Sequence, residues 1–172
     1  MKPALVVIDP QNGWLELSES LKRSVDEHVN NMSKAISIFR KAGAPIIFTY
    51  HSFPEKGIKP GTESFDFFPN IEVTSTDAKV VKTHQNAFNN TELEKLIREK
   101  QCDAVILVGL AALHCVLATY FGAYDRNLNP YLVRGAVAGK DEESVQIVEK
   151  ICDTLSLRAI SQILEQDTTM TF

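Results

Sequence analysis

The sequence predicts an α/β fold: a three-layer αβα arrangement around a Rossmann-like open sheet of about six mostly parallel strands. Two observations carry this expectation. Residues 4–8, 44–50 and 104–108 are apolar, β-branched runs, the pattern of strands covered by helices on both faces. Amphipathic stretches of helical period lie between them, and strands alternating with helices build right-handed βαβ crossovers. With 172 residues, 44% of them hydrophobic, the chain is long enough to bury a core, so residues 1–172 are expected to form a single domain.

The elements follow in order. Residues 79–82 and 130–133 are shorter strand candidates, and residues 168–172 read as a last edge strand. In the stretch 25–42, Val25, Val29, Met32, Ile36 and Phe39 fall on one stripe, and Gly43 is a C-terminal stop. Residues 91–100 open with a Thr91/Glu94 capping pattern. Further helices are expected over 115–126, 142–151 and about 155–165. Residues 52–76, rich in Pro, Gly, Phe and Ser, form a long irregular stretch of the kind that serves as a lid or substrate loop.

Composition narrows the function. A net charge of -4 gives no footprint for nucleic acid, and no apolar run approaches the ~20 residues that span a bilayer. Met1-Lys2-Pro3 enters the first strand without the apolar core of a signal peptide, so a cytoplasmic protein acting on a small molecule is expected. There is no G-x-G-x-x-G after the first strand and no P-loop, which disfavours nucleotide binding. Three cysteines without C-x-x-C spacing argue against a disulfide framework or a zinc knuckle.

Ligands of open α/β sheets bind outside the carboxyl ends of the strands. Asp9, Tyr50 and His51, Lys82, the segment 109–115 and Arg134 follow successive strands. A carboxylate, an amine and a thiol, Asp9, Lys82 and Cys115, thus converge on one rim. An unassisted thiol is mostly protonated at neutral pH. A helix beginning at Cys115 and the charge of Lys82 would stabilise its thiolate, and Asp9 could take its proton. Such a nucleophile forms a thioester with a carbonyl substrate, and backbone N–H groups of the 109–115 turn could hold the oxyanion. Taken singly, each residue has a plainer reading: Asp9 as a turn former before Pro10, Lys82 as a solvated strand end, a cysteine as core filler. The last is the reading for Cys102 and Cys152.

Three blocks also carry a resemblance. Leu5-Val-Val-Ile-Asp9-Pro-Gln-Asn-Gly-Trp14, Val80-Val-Lys82-Thr-His-Gln-Asn-Ala-Phe88 and Val108-Gly-Leu-Ala-Ala-Leu-His-Cys115-Val-Leu-Ala-Thr119 resemble, in order and spacing, the isochorismatase-like cysteine hydrolases. These are relatives of nicotinamidase and N-carbamoylsarcosine amidase. The resemblance implies Asp9 as base, Lys82 as electrostatic partner and Cys115 as nucleophile. It also implies a cis peptide at Leu110-Ala111, with the N–H groups of Ala111 and Cys115 as oxyanion hole. Trp14 and Phe88 are expected near the substrate, and a homo-oligomer is expected.

The chain departs from the family at Ala112 and Leu113, where Thr-Asp or Thr-His is usual, and at Asn86, where Ser is usual. Nicotinamidases carry an Asp-x-His pair after the second strand and further lid histidines that bind a metal. Here that place reads Thr49-Tyr50-His51, and residues 52–76 contain no histidine, so neither metal nor cofactor is expected. His51 and His84 either hydrogen-bond substrate or merely end strands, and Trp14 either walls the pocket or packs in the core. His114 reads as a packing or interface residue and His28 as solvated. Phe65, Phe67 and Phe68 either close the pocket or pack between subunits. The leading expectation is a cysteine hydrolase that cleaves a C–N amide bond. The alternatives are an isochorismatase-type vinyl-ether hydrolase and a non-catalytic binding subunit.

Overall fold

The computed structural model describes residues 1–169, with side chains through residue 166. Strands β1 (Pro3–Ile8), β2 (Ile46–His51), β3 (Ala78–Lys82), β4 (Ala104–Leu110), β5 (Asn129–Ala138) and β6 (Thr154–Leu155) form one sheet. Its order is β3-β2-β1-β4-β5-β6, and every neighbouring pair is parallel. The connecting helices are α1 (Asn12–Leu17), α2 (Glu19–Lys41), α3 (Leu93–Glu99), α4 (Leu117–Tyr124), α5 (Glu142–Ile151) and α6 (Leu157–Thr169).

Every residue of β1 and β4 is buried, because alternate side chains enter two separate cores. Ala4, Val6, Ile8, Val105 and Leu107 pack with Leu93 and Ile97 of α3, Tyr120 of α4 and Val145 and Val148 of α5. Leu5, Val7, Ile106 and Val108 pack with Met32, Ile36 and Phe39 of α2 and Ile160 and Leu164 of α6. The strand order reverses between β1 and β4, which makes their carboxyl ends the crevice of the sheet.

Several boundaries differ from the sequence reading. Helix α2 begins six residues before Val25, because the Ser18 hydroxyl accepts the Leu21 N–H at 3.2 Å and caps it. It stops as expected before Gly43, whose φ of +64° suits a residue without Cβ. The Thr91 hydroxyl accepts the Leu93 N–H at 3.3 Å, but Glu94 closes no capping box. It pairs instead with Arg98 and Arg126.

Strand β5 runs past residue 133 to Ala138. Its register against β4 shifts between Leu107 and Gly109, so Leu132 and Val137 are separated by a bulge. Arg134 lies inside that bulge, exposed and bonded to the Thr154 hydroxyl, rather than on the carboxyl rim. The sixth strand is the two-residue Thr154–Leu155. The edge strand expected over 168–172 is not formed where it is described: Thr168 and Thr169 continue α6, and residues 170–172 lie outside the described residues.

Gly109 of β4 lies close against β1. Its φ is +118°, and a Cβ there would collide with the carbonyl oxygen of Ile8 in β1. Neither the backbone conformation nor the space admits a side chain. Gly109→Ala is expected to cost about 2–3 kcal/mol or more, read as a lower urea midpoint. Gly43→Ala, strained in φ but in open space, is the control, with a cost of roughly 1–2 kcal/mol. Equal losses would show that the Ile8 contact carries no energy.

Candidate active site

Asp9 follows β1 in the left-handed region, with φ +49°, a conformation Asp tolerates better than most residues. Its side chain is 1% exposed. The Thr49 hydroxyl donates to Asp9 Oδ1 at 2.6 Å, and Lys82 Nζ lies 2.8 Å from Oδ2. The Lys82 ammonium is fully buried at the end of β3. It donates to Cys115 Sγ at 3.3 Å, to His51 Nδ1 at 3.2 Å and to the His84 carbonyl at 2.9 Å. One cation therefore joins the ends of β1, β2 and β3 to the turn after β4.

That turn is irregular. The Leu110-Ala111 peptide is cis. Residues Ala112–Val116 form a wide π-type turn, in which His114 has non-helical angles of φ -116° and ψ -105°. Regular helix begins at Leu117, two residues later than the sequence suggests. His114 consequently points outward, and with Leu113 it lines the cavity mouth instead of packing in the interior.

The sequence reading expected a thiol poised to ionise, and here the structure differs. Burial pushes the Cys115 thiol up to about 12, the Asp9 carboxylate adds to that, and Lys82 opposes it without prevailing. The resting sulfur is therefore S–H, and thiolate accumulates only as pH climbs toward that value. Alkylation of the Cys115 peptide by iodoacetamide is expected still to be accelerating at pH 10, where an ordinary cysteine with a value near 8.5 has levelled off. A plateau below pH 9 would mean that Lys82 outweighs burial.

His51 is held below the usual imidazole range by burial first and by Lys82 second, with Asp9 opposing. It is neutral at pH 7, with Nδ1 3.6 Å from Cys115 Sγ and 3.7 Å from Asp9 Oδ2. Gln11, fully buried, fixes the backbone here: its Oε1 accepts the His51 N–H at 2.8 Å, and its Nε2 donates to the His51 and Phe65 carbonyls. Trp14 lies 5.5 Å from the His51 ring and 6.2 Å from Phe53.

These groups open into a cavity of about 500 Å³ over the carboxyl ends of the strands. Asp9, His51 and Cys115 sit on its inner surface. Trp14, Leu21, Phe53, Leu110 and Leu113 give it apolar walls, and Ser18, Thr83, Gln85, Lys140 and Ser144 its polar edge. His84 is exposed and reaches the site through its carbonyl, while its ring bonds Thr83. Phe88 is buried in the core with the Arg126 guanidinium 4.9 Å above it, so neither side chain lines the cavity.

Of residues 52–76, Phe53 alone lines the cavity among the described residues. Phe65 and Phe67 stack on Tyr50 at 5.1 and 4.1 Å, and Phe68 and Ile71 are buried. The aromatic loop is thus packed onto the end of β2. Thr49, Lys140 and Ser144 escaped sequence reasoning, and Gln11 entered it only as a member of the Asp9 block. Thr49 left a signal, as a polar residue in a largely apolar strand.

Asp9, His51 and Cys115 offer an oxygen, a nitrogen and a sulfur within 4.8 Å of one another. The set does not fit a metal ion, since the buried Lys82 ammonium already stands against all three and a second cation would have to displace it.

An open parallel sheet with a carboxylate, an ammonium and a thiol at its switch point defines a class, the Rossmann-like α/β hydrolases with a cysteine in the crevice. Within that class the chain belongs to the isochorismatase family, whose Isochorismatase domain model matches residues 3–150. It is similar to the uncharacterized isochorismatase family protein YddQ of Bacillus subtilis, 27% identical across 88% of this chain and 84% of that protein. It is also similar to Nicotinamidase 3 of Arabidopsis thaliana, 26% identical across 81% of this chain and 75% of the relative. In structure it resembles N-carbamoylsarcosine amidase from Thermoplasma acidophilum, with TM-score 0.78, 26% identity and 91% and 95% of the two chains covered. The protein is thus an isochorismatase-family hydrolase. Among its described residues no helix is long and apolar enough to cross a membrane.

Proposed function

We propose that the protein hydrolyses a C–N amide bond of a small molecule through a thioester on Cys115, with Asp9 and Lys82 as its partners. The observation that carries this reading is the Lys82 ammonium, which touches both the Asp9 carboxylate and the Cys115 sulfur at 2.8 and 3.3 Å. Similarity to a nicotinamidase and to a carbamoylsarcosine amidase supports amide chemistry over other hydrolyses.

The thiol starts protonated. As Sγ bonds to the carbonyl carbon, Asp9 accepts the thiol proton, and Lys82 offsets the charge that forms on sulfur. The carbonyl oxygen becomes an oxyanion facing the N–H groups of Ala111 and Cys115. Collapse of the tetrahedral species breaks the C–N bond, and Asp9 returns its proton to the leaving nitrogen, releasing ammonia or an amine. Water, deprotonated by Asp9, then attacks the thioester, and sulfur leaves with that proton to restore the resting thiol. Trp14 and Phe53 would flank a planar substrate, with His51 as a neutral hydrogen-bonding group. A homo-oligomer is part of the same proposal, with Phe121 and Tyr124, exposed on α4, as candidate contact residues.

Ammonia release from a panel of small amides, ureido acids and nicotinamide, with Cys115→Ala alongside, tests the reading. Release by the parent that vanishes in the variant supports it. Silence across the panel, or release that survives the substitution, overturns it.

A further inference from the structure

A second cluster of chemistry-bearing side chains lies away from Cys115, where α2 meets the start of α5. His28 of α2 places Nδ1 3.1 Å from the carbonyl oxygen of Gly135. A carbonyl can only accept, so Nδ1 carries the ring proton and Nε2 presents its lone pair. That Nε2 is buried and has no hydrogen-bond partner among the described residues. The nearest charged group is Glu142 Oε2 at 3.7 Å, too long for a hydrogen bond. It is close to the roughly 3.4 Å that separates two ligands of a tetrahedral zinc ion with bonds of about 2.0–2.1 Å. The Glu27 carboxylate joins them, and the three donor atoms lie within 4.8 Å of one another.

The surroundings fit the same reading. A metal-binding histidine characteristically donates its other ring N–H to a backbone carbonyl, which fixes the tautomer. The β5 bulge supplies that carbonyl and holds it on both sides. Asn31 Nδ2 donates to the Gly135 oxygen at 3.1 Å, and the Gly135 N–H donates to Glu149 Oε1 at 2.7 Å. Among the described residues no lysine or arginine forms an ion pair with Glu27 or Glu142. The Asp9, His51 and Cys115 set, by contrast, has a buried ammonium among its donors. We propose that His28, Glu27 and Glu142 form a site for a divalent cation of the zinc type, separate from the catalytic centre. None of the three lines the cavity. A cation there would tie α2 to α5, two residues before Ser144 of the cavity wall, and so act as a structural clamp with no part in bond cleavage.

The test is calorimetric titration of zinc chloride into the full chain after dialysis against a chelator. One equivalent is expected to bind, with affinity at least tenfold weaker in His28→Ala and in Glu142→Gln and unchanged in Cys115→Ala. Glu142 is 57% exposed, so Glu142→Gln keeps the test valid even where His28→Ala folds poorly. Cobalt(II) in place of zinc is expected to show no thiolate-to-cobalt charge-transfer band, since the donors are one nitrogen and two carboxylates. No binding, binding indifferent to both variants, loss in Cys115→Ala, or a thiolate band would each overturn the site.

Discussion

Cys115→Ala is expected to lower amide turnover by on the order of 10⁴-fold or more, because the thioester route has no substitute for the sulfur. What remains would be the cavity's binding energy, the oxyanion donors and a water activated by Asp9. Asp9→Asn should lose roughly 10³-fold, the usual worth of a positioned base. Its thiol remains, and although the variant loses the upward push of the Asp9 carboxylate, burial, the largest cause of the raised value, is unchanged, so the sulfur still needs a base beside it at neutral pH. His51→Gln distinguishes the two candidate bases. His51 Nδ1 already accepts from Lys82 at 3.2 Å, which occupies the lone pair a base would use, so a loss of only about tenfold is expected. A loss in His51→Gln matching that in Asp9→Asn, measured as kcat/KM on one substrate, would transfer the role of base to His51.

Lys82→Met is expected to be the most destabilising single substitution at the site, by about 3–5 kcal/mol. Asp9 and Lys82 are both essentially excluded from water, at 1% and 0% side-chain exposure. Removing the ammonium leaves a buried carboxylate with no cation beside it among the described residues, held by the neutral Thr49 hydroxyl and Cys115 thiol. In a chain of this length that corresponds to roughly 10 °C in Tm. Asp9→Asn combined with Lys82→Met should recover much of the loss, since replacing both members of a buried pair is far less costly than orphaning one. Urea unfolding of the two single variants and the double variant measures this. Additive losses would show that the pair does not stabilise the fold through its mutual contact.

β1 and β4 were legible because each is apolar throughout, and β2 because it opens on an apolar run, Ile46 to Phe48; runs of that kind can only be covered on both faces. β5 was half legible, since Arg134 and Gly135 interrupt its apolar pattern at a bulge, and a bulge is set by the partner strand's register. β6 left almost no trace: two residues at the edge of a sheet have no periodicity, and their strand state depends on β5 beside them. The start of α2 turned on one hydroxyl, Ser18, that hydrophobic spacing does not register. His28 read as a solvated helix residue because nothing local shows a carbonyl from β5, more than a hundred residues away, meeting its ring.

The order of residues along the chain is enough to give the fold class, the rim on which Asp9, Lys82 and Cys115 meet, and the family. All three follow from local patterns, namely apolar runs, strand ends and short motifs in order. Long-range packing is what crowds Thr49, Gln11 and His51 around that group, seats Phe88 and the loop phenylalanines elsewhere, and sets which way the thiol's acidity moves. The helix start and the lysine charge visible in the sequence favour a thiolate. The burial that outweighs them is the sum of every element packed over the sulfur, and desolvation exists only once the chain has folded.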